Sequence, residues 1–241
     1  MEEKLEKSGD RTYDRVVKFI KEGIQSGTFQ IGSRLPPERI LAEQLNVSRN
    51  SVREAFKILE ITGTVTSTQG AGHFVSGNFA GFLSETLSMM FLLHELTFPQ
   101  ISQLRYALEK QAFALAVDNA DAQDRQELQT IIDHLDHETR EEENVLLDKQ
   151  LHYTIAKASK NVLFVEILNA LSDVMDRFIA DLRMDIMSEA LRRKKLMEAH
   201  RRIVEAIQKG EPSDGFAAID EHFALIDTCI EIRSQGEALP K

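Results

Sequence analysis

Between Gly81 and Gly210 the chain has no glycine, and nothing after residue 77 shows the apolar–polar alternation of a half-buried strand. Apolar residues recur there at helical spacing instead, which leaves a bundle of helices as the only economical way to bury them. The spacing predicts helices over 82–95, 99–119, 122–140, 143–158, 161–185, 188–209 and 213–234. Thr97 with Pro99 marks one helix start, Asp121 another, and Gly210-Glu211-Pro212 a break. The rear of the chain therefore reads as an all-α bundle of six or seven helices.

The front differs in pattern and in charge. Residues 1–77 carry 11 Lys+Arg against 10 Asp+Glu, and residues 78–241 carry 18 against 29, so a net of +1 is followed by a net of −11. Two units with different partners are implied. Residues 1–10 have no periodicity and read as a flexible arm. Tyr13, Val16, Val17, Ile20 and Ile24 follow helical spacing up to Gly27. Pro37 suits the first position of a second helix through Leu45. Ser48 caps a third, from Arg49 to about Thr62, with Val52, Ala55, Phe56 and Leu59 on its buried face. Thr64–Thr68 and His73–Val75 around Gly70 and Gly72 predict a hairpin. Three helices and a hairpin make a winged helix-turn-helix over 11–77. Residues 78–98 form a linker and first helix, and 99–235 an all-α domain, so the fold class is mainly α.

Arg49, Arg53 and Lys57 are four residues apart and form one basic stripe on the third helix. Ser48, Asn50 and Ser51 stand at its N-terminal end, the end that meets base edges in helix-turn-helix docking. Arginine can bond guanine through two donors, and serine and asparagine offer shorter ones. One such helix reads few bases, so a homodimer on a pseudo-palindromic double-stranded operator is expected.

The run Gly32-Ser33-Arg34-Leu35-Pro36-Pro37-Glu38-Arg39, with Leu41-Ala42 and Val47-Ser48-Arg49-Asn50-Ser51-Val52-Arg53-Glu54-Ala55, resembles the signature of the GntR family of transcriptional regulators. Gly70-x-Gly72-x-Phe74-Val75 is similar to that family's wing. Pro37 and Ser51 depart from the usual serine and proline. The resemblance implies DNA contacts from Arg34, Arg39, Arg49, Arg53 and the wing turn Gln69-Gly70, with Glu38 orienting an arginine.

In the rear unit three of the seven histidines stand on apolar stripes. His152 lies with Val145, Leu151 and Ile155, and Asp148 is one turn before it; His200 lies among Leu196, Met197, Ile203 and Val204; His222 lies among Ile219, Phe223 and Ile226. Buried imidazoles need partners. If the three helices converge, Asp148, His152, His200 and His222 satisfy one another around a divalent cation such as zinc, nickel or manganese. His73, His94, His134 and His137 read as surface residues. Arg105, on an apolar helix, would seek an anion: either the carboxylate of a bound effector or Glu109 one turn on.

This half resembles the FCD effector domain of FadR-type GntR regulators, through Asp148-Lys149-Gln150-Leu151-His152, Ala158-Ser159-Lys160-Asn161, His200 and His222. Leu151 stands for the usual phenylalanine, and Gln103 for the usual glutamate before Arg105. The resemblance implies a helical bundle holding a metal, with a small organic or sugar acid beside it and Arg105 near that ligand. The expected function is a ligand-responsive regulator, a repressor by type, rather than an enzyme. A sensor of the metal itself, or a metal-dependent hydrolase, are the alternatives. No apolar run approaches the roughly 20 residues of a membrane span. The charged start MEEKLEKSGD predicts no signal peptide, and a single cysteine, Cys229, fits a reducing cytoplasm.

Overall fold

The computed structural model describes residues 11–137 and 140–234. The expected arm over 1–10 and the chain end from 235 lie outside the described residues, as do 138 and 139 at the expected end of one helix. The chain divides into two compact units after Phe82.

The front unit has α1 (Thr12–Gln25), α2 (Glu38–Leu45), α3 (Arg49–Ile61), β1 (Val65–Thr68) and β2 (Gly72–Val75). Pro37 is the N-cap of α2, one residue earlier than its expected place, and its carbonyl accepts from Leu41 at 3.1 Å. Asn46 closes α2 in the left-handed region at φ 49°. Ser48 caps α3 as its type demands: Oγ accepts from the Ser51 N–H at 3.0 Å, worth about 1 kcal/mol. Val52, Ala55, Phe56 and Leu59 are all buried, on Val16 and Ile20 of α1, Leu41 of α2 and the sheet residues Val65 and Val75. The strands pair antiparallel with Val65 opposite Val75 and Ser67 opposite His73. Leu35 N–H donates to the His73 carbonyl and Val75 N–H to Ser33, so the segment before α2 lines the free edge of the wing.

Gly63 turns the chain from α3 into β1 at φ +74°, and a Cβ there would stand 2.0 Å from the Asn78 carbonyl oxygen. That contact is with backbone and cannot be relieved by a rotamer. Gly63→Ala should therefore cost at least about 2–3 kcal/mol, from a left-handed conformation and a backbone collision together. Thermal melting followed at the front unit's own signals would check it, and an unchanged midpoint would contradict it.

After α4 (Ala80–His94), whose first turn lies before the boundary, the rear unit holds α5 (Phe98–Asn119), α6 (Ala122–His137), α7 (Glu141–Ala158), α8 (Val162–Ser188), α9 (Ala190–Lys209) and α10 (Pro212–Ser234). These are seven helices among the described residues. Gly210, at φ 72°, ends α9 by a left-handed cap whose N–H donates to Ala206. The core is built by Phe113 of α5, Leu128 of α6, Leu151 and Ile155 of α7, Ile203 and Ile207 of α9, and Ile219 and Phe223 of α10. Thus α5, α7, α9 and α10 surround one interior, and every expected metal-ligand residue is carried on α7, α9 or α10. Among the described residues no helix is long and apolar enough to cross a membrane.

Candidate functional sites

On the front unit, Ser48, Arg49, Asn50 and Arg53 are exposed on α3, with Ser51 half-buried. Lys57 is exposed on the same stripe. Gln69 and Gly70 form the exposed tip of the wing, Gly70 at φ +76° with open space around it. Arg34 lies along the wing, its Nε 3.3 Å from where a Cβ on Gly72 would sit. Arg39 pairs with Glu43 at 2.8 Å on the α2 surface. Arg53 Nε donates to Glu38 Oε2 at 2.9 Å, so Glu38 does hold an arginine. The α3 N-terminus with its serines, Arg49 and Arg53 presents a solvent-facing surface suited to an anionic polymer.

In the rear unit the three histidines converge. His152 on α7, His200 on α9 and His222 on α10 have ring centroids 4.9–5.6 Å apart. Each offers one nitrogen, and these atoms lie within 4.8 Å of one another. His200 and His222 are 0% and 2% exposed. Both ring nitrogens of His222 are buried with no hydrogen-bond partner among the described residues. Asp148 faces the cluster, Oδ1 3.6 Å from His200 Nε2 and Oδ2 3.9 Å from His152 Nε2. His94, His134 and His137 are exposed, as their polar surroundings suggest, whereas His73 is half-buried.

Glu109 is the site residue that sequence reasoning saw only in part. It pairs with Arg105, whose Nε and Nη2 donate to Oε1 at 2.9 and 2.7 Å. Its other oxygen lies 2.8 Å from His152 Nδ1. The four-residue spacing of Arg105 and Glu109 signals the first contact; the second crosses from α5 to α7 and leaves no trace in either helix alone. Glu109 thereby orients His152 so that Nδ1 is engaged and Nε2 turns to Asp148, the arrangement by which an outer carboxylate aims a metal-binding imidazole. Arg105 is thus ion-paired, and it also lines a cavity of about 180 Å³ with Asp148, Lys149, His152, Ser172 and the apolar wall of Val145 and Leu146.

The titration behaviour follows from these contacts. Burial would raise the Glu109 carboxyl, but Arg105 and then His152 carry it well below the usual carboxylate range. Burial would lower His152, but Glu109 raises it. Burial, and then the neighbouring His200 and His152, push His222 well below 6.5, so it stays neutral with its lone pair available. A neutral imidazole with no hydrogen-bond partner, two further imidazoles and a carboxylate suit a borderline divalent ion.

The sign for stability is then set. The unfolded chain protonates His222 below about 6.5 and the folded chain does not, so this group's contribution is present above that value and lost as pH falls. The lowered Glu109 adds a similar loss below its ordinary 4.5, and the raised His152 works in the opposite sense. With chelator present, the melting temperature should fall between pH 7 and 5, and His222→Gln should flatten that slope. A slope unchanged in the variant would contradict the assignment.

The comparisons with known proteins bear on the family and the fold of both units. The FCD domain matches residues 100–225, and the family described as bacterial regulatory proteins, gntR family, matches residues 12–75. The HTH-type transcriptional regulator LutR of Bacillus subtilis is 27% identical over 206 residues, covering 85% of this chain and 94% of that one. The Uxu operon transcriptional regulator of Escherichia coli is 28% identical over 220 residues, covering 89% and 85%. Among solved structures, Streptococcus agalactiae GntR superposes with a TM-score of 0.67 at 24% identity, covering 91% of this chain and 98% of that one.

Proposed function

The chain belongs to the gntR family of bacterial regulatory proteins with an FCD domain, a family of transcriptional regulators and not of enzymes, and from that premise we propose a metal-dependent, ligand-responsive regulator of operator binding. The front unit would read a pseudo-palindromic operator through Ser48, Arg49, Asn50, Ser51 and Arg53, with Arg34, Arg39, Gln69 and Gly70 at the backbone and wing. The rear unit would hold one divalent ion (zinc, nickel or manganese) with Asp148, His152, His200 and His222. The protein would work in the cytoplasm, where operator DNA is.

The observation that carries the metal reading is His222: two buried ring nitrogens with no hydrogen-bond partner among the described residues, beside two more imidazoles. Such groups cost free energy unless a partner engages them, and an ion would take the lone pair of the unprotonated nitrogen. Bonds of about 2.1 Å need ligand nitrogens about 3.4 Å apart, so a small inward rotation of the rings suffices. A divalent ion held there would supply positive charge toward the cavity beside Asp148 and His152. Arg105 and Lys149 face the same cavity, and Ser172 adds a hydroxyl, so the recognition chemistry is that of a small organic or sugar acid. The cavity's volume suits a molecule of only a few heavy atoms beyond its carboxylate.

A homodimer is supported by α4. None of its residues is buried, and Phe82, Met89, Met90, Leu92 and Leu93 are exposed. Glu85 is its only acidic or basic residue besides His94, so two copies can meet without like-charge repulsion.

The reading is tested by a thermal-shift screen of small carboxylic and sugar acids on zinc-loaded and chelator-treated protein, followed by DNA release measured by fluorescence anisotropy. The expected result is an acid that raises the melting temperature and alters DNA binding only when metal is present. An acid equally effective in chelator overturns the metal dependence. Release by metal alone would favour a sensor of the metal itself.

A further inference from the structure

In the front unit His73 of β2 lies flat on Phe56 of α3, with ring centroids 3.8 Å apart and planes 8° from parallel. Its Nδ1 is 2.6 Å from Ser67 Oγ. The Ser67 hydroxyl also meets Glu60 Oε1, so the ring is held from the wing side as well as by the stack. Nε2 then faces Glu38 Oε1 at 3.8 Å. The other Glu38 oxygen accepts from Arg53 Nε. A line of side chains therefore runs from the wing, through α2, to the exposed stripe of α3.

The grip on Arg53 is one-sided. Glu38 takes Nε, at the inner end of the guanidinium, and that contact uses neither Nη1 nor Nη2. The Arg53 side chain is 56% exposed while Glu38 is 23%. An arginine held at Nε keeps the two-donor edge that guanine O6 and N7 require. It also has less rotamer freedom left to lose when it binds. We propose that Glu38 and His73 are positioning residues for Arg53: α2 and the wing strand together set the direction in which its guanidinium meets the base it reads.

The arrangement has an otherwise puzzling cost. A carboxylate beside a DNA-facing helix repels phosphate, and so lowers affinity for every sequence. Glu38 lowers that background while fixing an arginine that discriminates. His73 stands against the second oxygen of Glu38, with Nε2 3.8 Å from Oε1, and limits where that carboxylate can swing. The stack on Phe56 and the hydrogen bond to Ser67 keep the ring there, so the wing is tied to the recognition stripe as well as to the core.

The inference rests on the reading of α3 as the base-contacting helix, and its test separates the two. Full-length wild type and the variants Arg53→Ala, Glu38→Gln and His73→Phe are each used to enrich duplexes from a random-sequence DNA library. Base preferences are then compared position by position. Phenylalanine preserves the ring on Phe56 but removes both nitrogens, and melting curves show whether each variant is folded. Arg53→Ala should erase the preference at one position of each half-site. Glu38→Gln should weaken preference at that same position by about tenfold, and His73→Phe by about threefold, with other positions unchanged. Glu38→Gln should also bind random-sequence DNA more tightly. In an Arg53→Ala background neither variant should change any preference.

Wild type that enriches no sequence overturns the base-reading role of α3. Wild type that enriches a motif, with preference at the Arg53 position intact in both variants, overturns the coupling alone. So does a loss spread over all positions with a lowered melting temperature, or an effect that persists without Arg53.

Discussion

Zinc added to chelator-treated protein should raise the melting temperature of the helical unit by about 8–16 °C. The size follows from mass action: an ion held only by the folded state, at about a thousand times its dissociation constant, adds about 4 kcal/mol, and a chain of this length gains about 2–4 °C per kcal/mol. The ion would join α7, α9 and α10, whose ligands are far apart in sequence, so the unfolded chain offers no comparable site. His200→Ala should abolish the zinc-dependent rise, because His200 is wholly buried at the meeting point of the three imidazoles and alanine leaves that position without a donor. Glu109→Gln should have a graded effect. It leaves all four proposed ligands in place but weakens the orientation of His152, and should weaken zinc binding by about 10–100-fold. Differential scanning with elemental analysis reads both. An undiminished rise in His200→Ala would remove the metal from this site, and an abolished rise in Glu109→Gln would make Glu109 a ligand.

How much of this was legible in the sequence depends on the range of each interaction. The α3 cap and buried face are local: Ser48 and the spacing of Val52, Ala55, Phe56 and Leu59 are enough to place them, and the structure matches residue by residue. The histidines were legible because each interrupts an apolar stripe, and an interruption on three separate helices implies a meeting point. The partner of His152 was not, because Glu109 reaches it across the α5–α7 contact, and helical spacing orders only residues on one helix. His73 escaped for a related reason. Alternation in the hairpin marks which side of β2 it occupies, but its stack on Phe56 depends on how the wing folds against α3. The α4 helix shows a third limit: its residues are apolar nearly all round, a pattern that normally signals burial, yet none is buried within the chain. Periodicity reports that a face needs covering and leaves open what covers it.

Arg49→Ala and Arg53→Ala should each weaken binding to a selected operator duplex by about 1–3 kcal/mol per half-site, about 5–150-fold. Both side chains are exposed at the N-terminal half of α3 and contribute nothing to the core of Val52, Ala55, Phe56 and Leu59, so the melting temperature should stay within about 2 °C. Salt dependence separates the two kinds of contact. Loss of a base contact leaves the slope of log affinity against log salt nearly unchanged, while loss of a phosphate contact reduces its magnitude by about one per site. Arg53, gripped at Nε by Glu38 with its outer edge exposed, should behave as a base reader: lower discrimination, unchanged slope. Lys57, a full turn further along the stripe, should behave as a phosphate contact: Lys57→Ala would weaken all sequences alike and flatten the slope. Anisotropy titrations over a range of salt on the operator and on a scrambled duplex measure both quantities. Equal slopes and equal affinities for Arg49→Ala, Arg53→Ala and wild type would place the reading surface elsewhere. A two-fold operator doubles each effect, because both copies of α3 lose the same side chain; a protein that reads a single half-site would show each loss once.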